Sequence, residues 1–224
     1  MSENAGTVII CAIFRIGIVM SSGTLYIISA PSGAGKTSLI TKLLEGLDDA
    51  EMAVSHTTRP QREGETDGKH YHFVTADTFL AGIGNDEFLE HAHVFGNHYG
   101  TSKKAIEDIT SKGVDVILEI DWQGAQQVRT LMPEAKSIFI LPPSKTELEK
   151  RLRGRGTDSD DVIESRLEQS CSDMTHYDEF DYVVINDDFD KAMASLESIF
   201  QSNRVTLTKQ QEKNKVLLDN LTSA

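Results

Sequence analysis

The segment from Ala30 to Thr37, APSGAGKT, has the residue types and spacing of a site for phosphate chemistry. It matches the phosphate-binding pattern G-x-x-x-x-G-K-[ST], except that Ala30 occupies the first glycine position. Gly33 and Gly35 allow consecutive backbone N–H groups to turn towards an anion. Lys36 can neutralise the β- and γ-phosphates, and the Thr37 hydroxyl can bind Mg²⁺.

The surroundings of this loop favour a nucleotide site over the alternative, an ordinary glycine turn. The preceding run LYIISA predicts a buried strand, and the following residues predict an amphipathic helix whose N-terminus would face the anion. We therefore expect a nucleoside triphosphate here. The residues assigned to this site are Ala30, Pro31, Ser32, Gly33, Ala34, Gly35, Lys36 and Thr37.

Arg59 and Arg62, within SHTTRPQREGE, form a second candidate anion site. Two guanidinium groups can hold a phosphate dianion through paired hydrogen bonds, and the phenol of Tyr71 can add another donor. The alternative is two surface arginines in a turn.

A basic cluster in an acidic chain forms a third candidate site. Two of its members, Lys145 and Lys150, fit a solvated helix face equally well. Arg155 differs, because it lies in the glycine-flanked loop GRGTDSDD, before a further helix that carries Arg166. Such a loop is suited to act as a lid that delivers charge. The cluster comprises Lys145, Lys150, Arg151, Arg153 and Arg155.

Two histidines, His91 and His93, share one face of a predicted strand and could suggest zinc. No cysteine or third histidine accompanies them at ligand spacing, so the pattern does not favour a zinc site.

The elements that would position these residues alternate between short apolar runs and longer helical periodicities. VDVILEI, SIFIL and YVVIN are nearly continuous apolar runs, which is typical of central strands in a parallel sheet. Ser144 precedes Glu147 by three residues and follows two prolines, and this capping pattern predicts a helix start. Residues from about 55 to 101 break the rhythm with turn glycines and period-two alternation, which predicts a small, mostly-β insert. Beyond Asp187 we expect helices and a polar tail.

The overall composition limits the possible partners and compartment. The 224-residue chain has 22 Lys+Arg and 35 Asp+Glu, a formal net charge of −13, so a nucleic-acid partner is not expected. Its two cysteines, Cys11 and Cys171, lie far apart and predict neither a disulfide framework nor a zinc ribbon, which fits a reducing cytoplasm.

The N-terminal run VIICAIFRIGIVM is apolar but fits neither a membrane span nor a secretory signal. Arg15 interrupts it, it is shorter than the roughly 18 residues that a span needs, and the charge before Arg15 is the acidic Glu3. We therefore expect no membrane partner. The alternatives are an extra strand, a tail, or upstream sequence added by a misplaced start.

Taken together, these segments resemble the guanylate kinase family from about Gly23 to Phe200. The ordered blocks that carry the resemblance are SAPSGAGKTSL, SHTTRPQREGE, GKHYHFV, FLEHAHVFGNHYGTS, DVILEIDWQGAQQV, IFILPPS, RLRGRG and VINDDFD. The resemblance implies an α/β fold of the P-loop NTPase type. It comprises a parallel sheet flanked by helices, with a small, mostly-β GMP-binding insert and a lid.

The resemblance also implies a reaction, ATP + GMP → ADP + GDP with Mg²⁺, and roles for individual residues. Lys36, Arg155 and Arg166 would be catalytic, and Asn186 would lie near the adenine of ATP. Thr37 would bind Mg²⁺, with Glu119 or Asp121 contacting the ion through water. The residues implied for GMP, and possibly also for dGMP, are Ser55, Arg59, Arg62, Tyr71, Glu90, Tyr99, Thr101 and Asp121.

Glu90 has a physical reason for this role, because a carboxylate can accept hydrogen bonds from guanine N1–H and the 2-amino group. Adenine lacks both donors, so adenine nucleotides should be poor acceptors. Two residues depart from the expected pattern. Ala30 replaces a glycine, and Glu119 stands where the family usually has aspartate, which places one extra methylene near the Mg²⁺ water shell.

Two rival functions are a non-catalytic scaffold domain and another P-loop enzyme. The intact Lys36 and Thr37 argue against the first, and Glu90 with Thr101 argues against the second.

We expect a dispensable extension at 1–19, a kinase-like domain at 20–203 with its insert at about 55–101 and lid at about 150–166, and a helical tail at 204–224. A homo-oligomer is left open.

Overall fold

The computed structural model describes residues 23–94, 96–154 and 159–223. The strands in this part of the chain are β1 (Leu25–Ser29), β2 (Ala50–Met52), β3 (His56–Thr57), β4 (His72–Phe73), β5 (Phe88–Val94), β6 (Asn97–Ser102), β7 (Asp115–Glu119), β8 (Lys136–Leu141) and β9 (Tyr182–Ile185). The helices are α1 (Lys36–Gly46), α2 (Ala76–Gly84), α3 (Lys103–Thr110), α4 (Trp122–Leu131), α5 (Lys145–Arg153), α6 (Asp160–Met174), α7 (Phe189–Arg204), α8 (Leu207–Lys213) and α9 (Lys215–Thr222), with a 3₁₀ turn at Tyr177–Glu179.

The central sheet has five parallel strands in the order β2-β7-β1-β8-β9. β1 lies in the middle, where Ile27 is in register with Leu118 of β7 on one side and Ser137 of β8 on the other. The predicted parallel sheet with flanking helices is confirmed. β2, which has three residues, was not predicted, because so short a run carries little periodicity.

Side chains of β1 alternate between two hydrophobic cores on opposite faces of the sheet. Tyr26 and Ile28 face α1 and α7, where the Tyr26 ring stacks on Phe200 with centroids 3.7 Å apart. Leu25 and Ile27 face the opposite core, which α3 and α4 cover. Each side chain of β1 is buried, so the strand leading to the phosphate loop is fixed from both sides.

The insert forms a second sheet with the strand order β4-β3-β6-β5, in which β5 and β6 are an antiparallel pair. The predicted insert is therefore confirmed as largely β-structure, but it also contains α2. Thr75 caps this helix by accepting a hydrogen bond from the Thr78 N–H. Helix α2 was not predicted from the sequence, because the glycines at 82 and 84 suggested turns.

Helices α5 and α6 form the region predicted as a lid. Ser144 accepts a hydrogen bond from the Glu147 N–H at 3.1 Å, which confirms the predicted helix start. The two helices share a small core of Leu148, Leu152 and Ile163. The part of the predicted lid at residues 155–158 lies outside the described residues.

The end of α7 is hydrogen-bonded to the segment before β1, at the end of the parallel strands away from the phosphate loop. Arg204 donates to the Asp115 carboxylate at 3.0 Å, and the second oxygen of Asp115 accepts from the Thr24 N–H at 2.8 Å. The Asn203 amide donates to the Thr24 hydroxyl at 2.9 Å. Beyond this anchor, α8 and α9 occupy the predicted tail.

The predicted extension at 1–19 lies outside the described residues. Within residues 23–94, 96–154 and 159–223, no helix has both the length and the apolar character needed to cross a membrane. The domain bounds proposed from the sequence stay predictions.

Candidate functional site

The phosphate loop connects β1 to α1 and requires glycine at two positions. Gly33 and Gly35 have φ values of 88° and 95°, in the left-handed region that favours glycine. A Cβ atom on Gly35 would also lie 2.5 Å from the Asn186 side-chain nitrogen. Any other residue at position 35 would therefore be strained and would collide with this amide.

Two hydrogen bonds, from Asn186 and Arg151, hold the phosphate loop in place. The buried Asn186 amide donates to the Ala34 carbonyl at 2.7 Å, and Arg151 donates to the Asn186 carbonyl at 3.0 Å. The loop thus keeps its shape through contacts with β9 and α5, which lie far along the chain. The predicted role of Asn186 beside adenine stays a prediction.

Lys36 and Thr37 begin α1 and both lie close to Glu119 at the end of β7. The Lys36 ammonium donates to the Ile120 carbonyl at 3.2 Å and is 3.9 Å from Glu119 Oε1. The Thr37 hydroxyl donates to the same carboxylate oxygen at 2.6 Å. Burial lowers the pKa of Lys36, and the nearby Glu119 and Asp121 carboxylates oppose that shift.

A cavity of about 510 Å³ opens above the phosphate loop. Helix α6 supplies part of the cavity wall through Arg166, Gln169 and Asp173. The structure therefore brings the predicted Arg166 to the phosphate loop. Arg155 lies outside the described residues. The cavity is lined by Ala30, Pro31, Ser32, Gly33, Gly35, Lys36, Thr37, Ser38, His93, Val94, Asp121, Gln123, Arg166, Gln169 and Asp173.

Glu90 lies on β5 with its side chain in the interior, where it is 3% exposed. Thr101 on the paired strand β6 donates to Glu90 Oε1 at 2.7 Å, and the Ser55 and Thr101 hydroxyl oxygens are 2.9 Å apart. Burial raises the pKa of Glu90 to about 7, while the Thr101 hydrogen bond favours the charged form. This carboxyl group therefore titrates close to neutral pH.

Asp121 and Gly124 at the start of α4 complete this pocket. Asp121 caps the helix by accepting a hydrogen bond from the Gly124 N–H at 2.9 Å. A Cβ atom on Gly124 would lie 2.9 Å from Glu90 Oε2. The absent side chain at 124 therefore leaves room for the second oxygen of the carboxylate. Gly124 was not predicted as a site residue, since its partner Glu90 lies 34 residues away in the sequence.

The second cavity, of about 170 Å³, lies between the insert and the central sheet. It shares Lys36, Val94 and Asp121 with the cavity above the loop, so the two spaces adjoin at these residues. The lining residues are Lys36, Ser55, Tyr71, Glu90, Ala92, Val94, Tyr99, Glu119, Ile120 and Asp121.

Comparisons with known proteins show the family of this chain. Residues 22–203 match the family model described as Guanylate kinase. The chain is 55% identical to the guanylate kinases of Salmonella typhimurium and Escherichia coli K12 over 204 residues, which cover 90% of this chain and 99% of each relative. A guanylate kinase crystal structure from Anaplasma phagocytophilum superposes with a TM-score of 0.70 at 36% identity, and the match covers 84% of this chain and 90% of that one.

This chain belongs to the guanylate kinase family. It is a kinase, and its fold is of the P-loop NTPase type.

In this guanylate kinase family member, Arg59 is held by a residue that the sequence analysis missed. Glu65 accepts hydrogen bonds from both terminal nitrogens of Arg59, at 2.7 and 3.1 Å, and one from the Arg62 N–H at 2.8 Å. These contacts lower the pKa of Glu65 to about 2, with the Arg59 hydrogen bonds as the main cause. Arg59 also lies 5.5 Å from the centre of the Tyr71 ring. Glu65 thus orients the guanidinium group that was expected to hold the acceptor phosphate.

Three further residues predicted for GMP lie in the insert with Arg59: Arg62, Tyr71 and Tyr99. Tyr71 and Tyr99 approach each other edge to face with ring centroids 6.0 Å apart, and both line the smaller cavity. Arg62 lies at the exposed side of the turn. The spacing between Arg59 and Glu65 could not predict their contact, because residues six positions apart in an irregular turn have no fixed distance in space. The one available signal was the opposite charge of Glu65 within the same short segment.

Proposed function

We propose that the two adjoining cavities hold the two substrates of the family reaction. The chain transfers the γ-phosphoryl group of ATP to GMP, giving ADP and GDP. ATP binds along the loop from Ala30 to Thr37, and GMP binds in the cavity between the insert and the sheet. The observation that carries this proposal is the shared boundary, at Lys36 and Asp121, between a phosphate-loop cavity and a carboxylate-containing one.

The acceptor cavity suits guanine and a phosphate monoester at opposite ends. The ionised Glu90 accepts hydrogen bonds from guanine N1–H and the 2-amino group. Thr101 holds the carboxylate from behind, and Ser55 lines the cavity beside it. Arg59 and Arg62, with Tyr71 and Tyr99, hold the phosphate. A base without the two donors would leave a buried carboxylate unpaired, which is costly.

Catalysis requires alignment and charge rather than a general base, since the attacking phosphate oxygen of GMP is already ionised at neutral pH. Lys36 neutralises the phosphate oxygens of the donor, and Arg166 stabilises the charge that develops on the transferring group. We assign Arg155 the same task, on sequence grounds. Asn186 supports the loop beneath the donor, and we assign it to the adenine end of the site on sequence grounds.

The donor set at Thr37 fits Mg²⁺, which prefers oxygen ligands and keeps several of its waters. The Thr37 hydroxyl and Glu119 carboxylate are 2.6 Å apart beside the loop, and Asp121 is within the same cavity system. We propose that Thr37 binds the ion and that Glu119 or Asp121 contacts it through water. The residues described contain no cluster of three or more His, Cys, Asp or Glu suited to a metal, and a phosphate-bound Mg²⁺ does not need one. Bound Mg²⁺ would neutralise phosphate charge.

A coupled ADP-release assay with ATP and one acceptor at a time tests the proposed specificity. GMP should support turnover, while AMP, CMP and UMP at the same concentration should not. dGMP is the informative further acceptor, because it carries the same base and phosphate. Equal turnover with AMP would contradict the role of Glu90, and release of ADP without any acceptor would mean that water accepts the phosphoryl group in place of GMP.

We also propose a reducing compartment, the cytoplasm, as the site of the reaction. The support is the cysteine usage, because the sequence has two widely separated cysteines and Cys171 is free in α6.

A further inference from the structure

A cluster of aromatic and charged side chains joins α4 to the end of α6, outside both substrate cavities except at Asp173. The Trp122 indole N–H donates to Asp173 Oδ1 at 3.2 Å. The Trp122 ring also stacks on His176, with centroids 3.6 Å apart and planes 8° from parallel. We name these three residues, Trp122, Asp173 and His176, the α4–α6 junction.

Further hydrogen bonds fix the junction on both sides. His176 Nδ1 lies 2.6 Å from Glu179 Oε1, and the other oxygen of Glu179 accepts from the Gln126 amide at 2.8 Å. Gln126 is one turn along α4 from Trp122, so the same helix face holds both ends of the contact. Gln169 donates to Asp173 Oδ1 at 2.9 Å. The end of α6 is thereby fastened to the central core.

The junction bears on catalysis because α6 carries Arg166. Gln169 and Asp173 follow Arg166 by three and seven residues, so all three lie along one face of the helix. All three also line the cavity above the phosphate loop. Arg166 lies about 10 Å along the axis from Asp173, at about 1.5 Å per residue. A tilt of roughly 10° at the junction would therefore move Arg166 by about 2 Å, given that helical rise.

We propose that Trp122, Asp173 and His176 are positioning residues for phosphoryl transfer, which set the direction of α6 and hence the place of Arg166 over the phosphate loop. This inference rests on the proposed catalytic role of Arg166. Trp122 directly follows Asp121, which borders both cavities. The end of α6 is therefore attached to the start of α4, the same helix start that lines the two cavities.

A matched pair at position 176 tests the proposal. His176→Phe and His176→Leu both remove the bond to Glu179, but phenylalanine keeps a ring against Trp122. We expect His176→Leu to lower kcat about tenfold, because displacement of a positioned group is costly, while KM for GMP changes less than about twofold. His176→Phe should recover most of that loss. A Thr130→Ala variant, on the exposed side of α4, serves as the control with unchanged kcat.

Trp122 also supplies a spectroscopic readout, since it is the single tryptophan of the sequence. Its emission should change in His176→Leu and remain closer to wild type in His176→Phe. If His176→Leu lowers the folded fraction, Trp122→Phe keeps a ring at 122 and removes the indole N–H, and it should still lower kcat with little change in melting temperature. Wild-type kcat in folded His176→Leu with altered emission would overturn the proposal.

A double variant separates this inference from the proposed function. Arg166→Ala alone tests the catalytic role of Arg166, and wild-type kcat in that variant would overturn both. If Arg166→Ala lowers kcat, adding His176→Leu should cause no further loss, because the junction acts through a side chain that is already gone. A further loss equal to that in the Arg166-containing enzyme would overturn the junction proposal and leave the role of Arg166 intact.

Discussion

The Arg59 guanidinium is oriented by the protein's own groups. Its two terminal nitrogens bind Glu65, its side chain is 12% exposed, and it faces the Tyr71 and Phe73 rings. A side chain fixed in this way loses little rotamer freedom when it binds a phosphate, so more of the contact energy remains for affinity. Glu65 thus affects the acceptor site through Arg59.

Arg59→Ala should raise KM for GMP far more than KM for ATP. Loss of a charge-assisted contact costs roughly 1.5 to 3 kcal/mol, which corresponds to about 10- to 150-fold in affinity. Glu65→Gln should raise KM for GMP in the same direction by a smaller factor, because it loosens Arg59 without removing it. Steady-state kinetics with each substrate varied in turn would measure both effects.

The control for these variants is Lys104→Ala, which removes an exposed cation that pairs with Asp108 on α3. Its KM values should match those of the wild type. Equal increases in KM for ATP and GMP on replacing Arg59 would contradict its assignment to the acceptor phosphate.

Glu90 should make stability depend on pH, because its pKa is about 7 in the folded chain and near 4.5 when unfolded. Between these values the folded state binds more protons, so this group's contribution to stability is lost as pH rises from about 4.5 to 7. Glu90→Gln carries no such titration. Relative to wild type, its free energy of unfolding should therefore be greater at pH 8 than at pH 5, by on the order of 3 kcal/mol.

Denaturant unfolding at the two pH values, without ligands, would measure this difference. Glu197→Gln on the exposed side of α7 is the control and should follow the wild type at both. The same titration affects substrate capture, because guanine needs the ionised carboxylate. KM for GMP should rise as pH falls from 8 to 6. If the difference in free energy of unfolding between Glu90→Gln and the wild type were the same at pH 5 and pH 8, Glu90 would not titrate in that range.

The start of α4 contributes to both the fold and the substrate cavities through one side chain. Asp121 caps the helix and lines both cavities. Asn caps as well as Asp, whereas Ala costs about 1 kcal/mol. We therefore expect Asp121→Asn to keep the melting temperature and Asp121→Ala to lower it, while both lower kcat.

Asp188 provides the matched control, because it caps α7 in the same way by accepting from the Lys191 N–H at 3.0 Å. Asp188→Asn and Asp188→Ala should reproduce the stability pattern with no change in kcat. Wild-type kcat in Asp121→Asn would mean that the carboxylate acts as a helix cap alone.

Elements with strong local patterns could be predicted from the sequence. The four long strands of the central sheet, the helix start at Ser144 and the insert follow from apolar runs, capping residues and turn glycines. Helix α2 and strand β2 were missed because their patterns are short or contain glycine. Contacts such as Asn186 with Ala34 and Trp122 with Asp173 join residues 152 and 51 positions apart, and no local rule links them.

Contacts among the described residues hold the start of β1 in the molecule. Thr24 is bound by Asp115 and Asn203, and Arg204 completes the anchor by pairing with Asp115 and with Asp49 at 2.6 Å. A chain beginning at Met20 should therefore keep its melting temperature and its GMP-dependent ADP release. Calorimetry and the coupled assay would test this on purified protein.

The matched control is Arg204→Ala, which should lower the melting temperature because Asp115 is left buried without its cation. A clear fall in melting temperature or in activity on removing residues 1–19 would mean that the segment belongs to the fold.

The central position of β1 in the sheet has a consequence for how the chain acquires its shape during synthesis. Its neighbours are β7 and β8, so a strand that ends at Ser29 gains its second partner at Leu141. At about 5 to 20 residues per second, the ribosome needs roughly 6 to 20 s to make the intervening chain. The β5–β6 hairpin, in contrast, pairs residues close in sequence and can form first. The hairpin that carries Glu90 should thus acquire structure on the ribosome before β1 has both of its neighbours and the phosphate loop is fixed.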